Sequence, residues 1–162
     1  MGSGKSSVGQ LLAGRLGYKF LDSDAEIVKK EKRPIARIFA EDREKYFRKL
    51  ETEFLKNMLE KKNLVLATGG GIILKAGNVK LLRKMGPVIY LKVSPEAVLQ
   101  RLAGDNSRPL LSGPGRLQKA KGILRARREQ YLSSADLVIN TDNLSPFQIV
   151  EKIVKYLHHE CR

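Results

Sequence analysis

An α/β fold, with a parallel sheet covered by helices on both faces, is the architecture this sequence predicts. Three observations carry that prediction. Short apolar runs too brief for helices recur along the chain, each is followed by a stretch with helical apolar spacing, and Gly, Asp-Ser-Asp or Ser-Pro punctuation separates them. Strands that alternate with helices form parallel sheets whose ligands gather at the carboxyl ends of the strands. With 162 residues, 42% of them apolar, the chain has material for one core in a single domain, 1–162. It shows no internal repeat or low-complexity tract.

Val8, Leu11, Leu12 and Leu16 recur at helical spacing and mark a first helix, with Gly17 a suitable left-handed stop. Residues 18–21 make a short hydrophobic strand ending in Asp22-Ser23-Asp24. A charged helix over 25–31 then runs toward Arg33-Pro34, where the proline breaks it. Two helical patterns follow, one with Ile35, Ile38 and Phe39 inward, the other with Phe47, Leu50, Phe54, Leu55 and Met58 inward. Residues 64–68 form a continuous apolar run that stops at Gly69-Gly70-Gly71, which predicts a buried strand entering a loop. The next strand is 88–93. Ser94-Pro95-Glu96 then supplies a cap, a first-turn proline and a first-turn acid for a helix over 96–102. Residues 104–116 are rich in Gly, Pro, Ser and Arg without periodicity and read as a mobile flap within the domain. A helix resumes near 117 and runs to about 131. The last unit is a strand over 137–140, a turn at Thr141-Asp142-Asn143, and Ser145-Pro146 capping a helix with Ile149, Ile153, Val154 and Leu157 inward.

Charge and composition narrow the chemistry. The 31 Lys and Arg outweigh 17 Asp and Glu, a formal charge of +14 that draws in anions, so phosphates are expected partners. Solubility, or salt-sensitive adhesion to nucleic acid, is the plain alternative. The single Cys161 excludes an internal disulfide framework and a cysteine metal site, which favours a reducing compartment. No run approaches the roughly 18 apolar residues of a membrane span, and the first ten residues lack the apolar core of a signal peptide. A cytoplasmic protein is expected, with no membrane contact.

Gly2-Ser3-Gly4-Lys5-Ser6, followed by Ser7, matches the second half of G-x-x-x-x-G-K-[ST]. In that motif backbone N–H groups cradle phosphates, the lysine neutralises them and the hydroxyl ligates Mg²⁺. The motif's first glycine, and the strand that normally feeds the loop, would fall ahead of Met1, so residues 1–7 are a partial phosphate loop. A flexible tag or linker can have the same short sequence.

The chain then carries, in order, GSGKSSVGQLLAGRLG, FLDSD, IARIFAEDREKYFRKLE, ATGGG, VIYLKVSPE, SRPLL and RARREQY. In order and spacing these segments resemble shikimate kinases from end to end. The resemblance implies a P-loop kinase three-layer sandwich with four strands in this chain and a central first strand missing from it, a gap expected to expose strand edges. It implies a kinase that uses ATP and Mg²⁺ to phosphorylate the 3-hydroxyl of shikimate, acting as a monomer with no specific nucleic-acid partner.

The same resemblance implies roles for residues. Gly2, Ser3, Gly4, Lys5, Ser6 and Ser7 would bind nucleotide phosphates. Ser6 and, through water, Asp22 would hold Mg²⁺, and Asp24 would hydrogen-bond the acceptor hydroxyl or take its proton. A helix cap is the plain alternative, a role that Asp24 can also fill. Shikimate carries a carboxylate, which a guanidinium holds bidentately, and Arg48 and Arg127 sit where the family's carboxylate arginines sit. Arg125 and Arg128 compete with Arg127 for that place, and arginines on helices commonly belong to a solvated face. Gly69, Gly70 and Gly71 would line the substrate pocket by letting backbone N–H groups approach a ligand closely, where a tight turn would need fewer glycines. The segment 22–60 would bind shikimate and 104–116 would be the lid. Arg108 in that lid would close on the γ-phosphate, supplying positive charge once water is excluded. Arg101 and Pro146 would flank the adenine.

His158 and His159 are adjacent, so on a helix they point about 100° apart and read as a polar helix end rather than a metal pair. The implied mechanism is in-line transfer, with Lys5 and Arg108 spreading the transition-state charge and Asp24 orienting or deprotonating the acceptor. A related small-metabolite kinase acting on a gluconate-like acid is one alternative. A catalytically impaired phosphate-loop domain, or a basic binding module, is the other.

Overall fold

The computed structural model describes residues 3–101 and 115–160; Gly2, Arg108 and Cys161 lie outside them. Element order follows the predicted alternation: α1 (Lys5–Leu16), β1 (Lys19–Asp22), α2 (Ser23–Glu31), α3 (Ile35–Met58), β2 (Leu64–Ala67), a 3₁₀ turn (Ile72–Leu74), α4 (Ala76–Met85), β3 (Ile89–Lys92), α5 (Pro95–Arg101), α6 (Arg116–Ser134), β4 (Leu137–Asn140) and α7 (Pro146–Glu160).

Local chemistry sets the boundaries. Gly17 ends α1 at a left-handed φ of 67°, the conformation glycine adopts without a Cβ penalty. Helix α2 begins two residues before the predicted start because Asp22 caps it, accepting from the N–H groups of Asp24 and Ala25. Ser94 Oγ accepts from Ala97 N–H at the start of α5. Ser145 and Gln148 bond reciprocally at the start of α7, each side chain accepting from the other's backbone N–H, a capping box. The two helical patterns between Ile35 and Met58 run as one element kinked at Arg43, whose φ of 67° and ψ of 167° are not helical.

The predicted loop between 71 and 88 contains a missed element. Helix α4 fills most of it, and Leu82 packs with Leu55, Ile72 and Ile73 while Val79 and Met85 pack against that cluster. Val79, Leu82 and Met85 recur every third residue. Gly77 and Asn78, both weak helix formers, hide the pattern.

All strand pairing is parallel. Lys19 to Asp22 align with Leu64 to Ala67, and Ile89 to Lys92 with Leu137 to Asn140. Among the described residues these form two separate two-stranded sheets. The facing strands β2 and β3 are separated by an apolar slot of about 680 Å³, lined by Leu64, Val65 and Leu66 on one side and Ile89, Tyr90 and Leu91 on the other. Four strands with a gap at the centre match the expected sheet. The main core joins Val8 and Leu12 of α1 to Leu91, Ile139 and the inward face of α7. A second cluster packs Ile27 of α2 against Ile38, Phe47 and Leu50 of α3. Each fully buried Ile or Leu in these clusters contributes roughly 1.5–3 kcal/mol. That burial fixes α2 against α3 and so places their charged residues.

Candidate active site

Helix α1 starts on Gly4, whose φ is 78°, with no side-chain cap and no acid in its first turn. Open N–H groups and the positive end of the helix dipole make such a start receptive to anions. Lys5, Ser6 and Ser7 occupy this turn and Ser3 is buried beside it. The Ser6 hydroxyl donates to Asp22 Oδ2 at 2.7 Å, while Asp22 Oδ1 caps α2. The cap expected of Asp24 therefore falls on Asp22, because Asp24 lies inside the first turn and donates its N–H to that carboxylate; the same carboxylate still reaches the phosphate loop with its other oxygen. A hydroxyl and a carboxylate side by side are the hard oxygen donors that Mg²⁺ takes alongside phosphate and water. The described residues hold no cluster of three or more metal-ligating acids, Cys or His; a Mg²⁺ carried mainly by phosphates needs none.

Asp24 sits in the first turn of α2, facing the triple-glycine loop that leaves β2. A Cβ built on Gly69 would lie 2.5 Å from Asp24 Oδ1 and 3.2 Å from Glu51 Oε1, and one built on Gly71 would overlap the Arg48 guanidinium. None of the three glycines has a positive φ. The loop does turn, with Gly69 carbonyl accepting from Ile72 N–H at 3.2 Å, but Gly69 and Gly71 are needed for the space their missing side chains leave to Asp24, Glu51 and Arg48. Gly69 N–H donates to Ser23 Oγ at 3.1 Å, and Gly70 carbonyl accepts from the Tyr131 hydroxyl at 2.7 Å.

Arg48 is held on both sides. Its Nη1 pairs with Glu51 Oε2 at 2.7 Å and its Nη2 with Glu44 Oε1 at 2.7 Å. Glu51 has no solvent exposure, and its Oε1 has no hydrogen-bond partner. Burial pushes its carboxyl up to about 7; the Arg48 hydrogen bond and charge oppose that rise, and the Asp24 and Glu44 charges add to it. Asp24, Arg48 and Glu51 thus converge on one wall of glycines.

Of the three competing arginines on α6, Arg127 is half-buried while Arg125 and Arg128 are exposed. Arg127 makes no ion pair among the described residues, leaving a cation uncommitted. Arg101, at the end of α5, donates to Thr141 Oγ1 at 3.1 Å and Thr141 O at 2.6 Å. That brings it to the loop leading from β4 to Pro146 and α7, so the two residues expected around adenine border the same loop. The predicted role of Arg108 lies outside the described residues.

Sequence reasoning missed Glu51, Ser23 and Tyr131. Glu51 had a readable signal: it lies four residues from both Phe47 and Leu55, so it falls on the apolar face of α3, where an unpaired charge is costly. Ser23 and Tyr131 are ordinary in sequence and gain meaning only from the carbonyl and N–H they meet.

Comparison with known proteins gives a consistent result. The family model for shikimate kinase matches residues 1–158. A shikimate kinase of Persephonella marina is 43% identical over 154 residues, 95% of this chain and 92% of that protein. One from Xanthomonas campestris pv. campestris is 43% identical over 162 residues, all of this chain and 90% of that protein. Among solved structures, shikimate kinase from Acinetobacter baumannii in complex with shikimate is 39% identical and superposes with a TM-score of 0.94, covering 99% of this chain and 89% of that one.

Proposed function

This chain belongs to the shikimate kinase family and has its P-loop kinase fold, and we propose that the wall formed by Asp24, Arg48 and the triple glycine is its acceptor site, with the start of α1 as its donor site. The reaction is transfer of the γ-phosphoryl group of ATP to the 3-hydroxyl of shikimate, a step of aromatic amino acid biosynthesis. The convergence of Asp24, Arg48 and Glu51 on Gly69 and Gly71 is the observation that supports the acceptor assignment.

The first-turn N–H groups of α1 and the Lys5 ammonium bind the phosphates of ATP and counter their charge as it builds. Ser6 and Asp22 would hold Mg²⁺, which neutralises phosphate oxygens when bound with ATP. Asp24 accepts the hydrogen bond of the acceptor hydroxyl and takes its proton as the bond to phosphorus forms. Arg48 and Arg127 clamp the carboxylate and so set the ring's orientation. Arg48 arrives preset, because Glu51 and Glu44 fix its guanidinium beside Gly71. Arg101 and Pro146 flank the base, Arg108 within the lid 104–116 meets the γ-phosphate, and the segment 22–60 supplies most acceptor contacts. The reading also takes the protein as a cytoplasmic monomer; no helix among the described residues is long and apolar enough to cross a membrane.

The test is ADP release with and without shikimate, in wild type and Asp24→Asn. Wild type should turn over only with shikimate. The variant should lose roughly 10²- to 10⁴-fold in kcat, the range of general-base catalysis, with KM for ATP unchanged. Shikimate-independent turnover, or a variant with wild-type kcat, would sink the assignment.

A further inference from the structure

The three glycines of the loop are each met by a different element, and each of those elements carries one of the residues assigned to the acceptor. Ser23, which bonds Gly69 N–H, precedes Asp24 on α2. Arg48 of α3 lies against Gly71. Tyr131 of α6, which bonds the Gly70 carbonyl at 2.7 Å, stands one turn beyond Arg127. Residues four apart share a helix face, so the tyrosine and the arginine address the loop together.

The third of these ties sits where α6 meets the core. The Tyr131 ring packs against the cluster of Leu55, Ile72, Ile73 and Leu82, and, two residues on, Ser133 O accepts from Arg83 Nη2 at 2.8 Å, so the helix half that carries Arg127 is anchored through Tyr131 and the residues just after it. The Tyr131 ring stacks on Tyr90 of β3, with centroids 4.8 Å apart and planes 18° apart. Stacking sets the ring plane but leaves sliding within it soft; the short bond to Gly70 removes that freedom.

The geometry points to Tyr131 as a positioning residue for the acceptor site: its hydroxyl sets where α6 presents Arg127 over the triple-glycine loop. This rests on the assignment of Arg127 to the substrate carboxylate. Tyr131 touches no reacting atom. It acts through Arg127, so its contribution disappears when Arg127 is gone.

The experiment compares Tyr131→Phe, Arg127→Met and the double variant, measuring KM for shikimate, KM for ATP, and shikimate binding by equilibrium titration without nucleotide. Phenylalanine keeps the ring and its stacking, and thermal melting confirms that each variant is folded. Arg127→Met is expected to weaken shikimate binding at least tenfold, the loss of a charge-assisted pair. Tyr131→Phe should weaken it about three- to tenfold, the range for one hydrogen bond, and leave KM for ATP within about twofold. The double variant should be no worse than Arg127→Met alone, because residues acting as a unit are not additive. Effects that multiply in the double variant, or a Tyr131→Phe that shifts both KM values alike or leaves shikimate unaffected, would overturn the positioning role alone. An Arg127→Met with unchanged shikimate binding would overturn the carboxylate assignment and, with it, the inference.

Discussion

Neutralising Glu51 should flatten the pH dependence of stability. The carboxyl is fully buried and its pKa is pushed from an ordinary 4.5 up to about 7. Between those values the folded chain keeps a proton that the unfolded chain has released, so the folded state binds more protons and stability falls as pH rises. The stabilisation is fully present below the unfolded value and gone above the folded one. From about pH 5.5 to about pH 8.5 the group alone accounts for a loss of roughly 2 kcal/mol. For a domain of this size that is a drop in Tm of about 4–8 °C. Glu51→Gln keeps the shape and an acceptor oxygen for Arg48 but cannot ionise. Urea melts of both proteins across that range, at fixed ionic strength, isolate the effect, because every other titrating group is common to the pair. Wild type should lose about 2 kcal/mol more than the variant. Parallel curves would show that Glu51 is ionised throughout and that the argument from burial is wrong.

Two further outcomes follow from backbone geometry. Arg43 holds a φ and ψ that are almost exclusive to glycine, a strain of order 1–3 kcal/mol, while glycine costs roughly 0.5–1 kcal/mol in chain entropy. Arg43→Gly should therefore raise stability by about 1 kcal/mol, or Tm by about 2–4 °C, and a fall in Tm on calorimetry would contradict the strain. Gly71→Ala places a methyl group where the Arg48 guanidinium lies, and should raise KM for shikimate about tenfold or more by displacing it. The control Gly14→Ala, in open space on α1, should leave kinetics unchanged and add about 0.5–1 kcal/mol of stability.

The strands and most helices were legible because their boundaries rest on short-range chemistry: Gly17, Pro34, Ser94 and Ser145 each act within a turn of themselves. Helix α4 was not, since Gly77 and Asn78 weaken its propensity and long-range contacts hold it instead, packing on Leu55 and Ile72 and the buried Asn78 side chain bonded to Ile72 O and Thr52. The site divided along the same line. Asp22, Asp24, Arg48 and the three glycines fall in recognisable segments. What surrounds them was hidden, because the meeting of Ser23 with Gly69 and of Tyr131 with Gly70 spans 46 and 61 residues of chain. From the sequence Asp22 reads as a metal residue and Asp24 as the possible cap, whereas the one Asp22 carboxylate reaches both Ser6 and the start of α2, a division that only the placement of its two oxygens reveals.

Helix α1 also bears on how the molecule is coupled mechanically. It is a girder that packs on residues of both strand pairs. Val8 and Leu12 hold the β3–β4 pair and α7, with Val65 of β2 packed against the same cluster, and Tyr18 after the helix bonds back to Ala13 before the chain enters β1. The open end of that girder is the turn holding Lys5 and Ser6. On the proposed donor assignment, a phosphate seated there would contact the helix that packs on both strand pairs, and by mass action its binding energy would add to the resistance of the whole domain to unfolding.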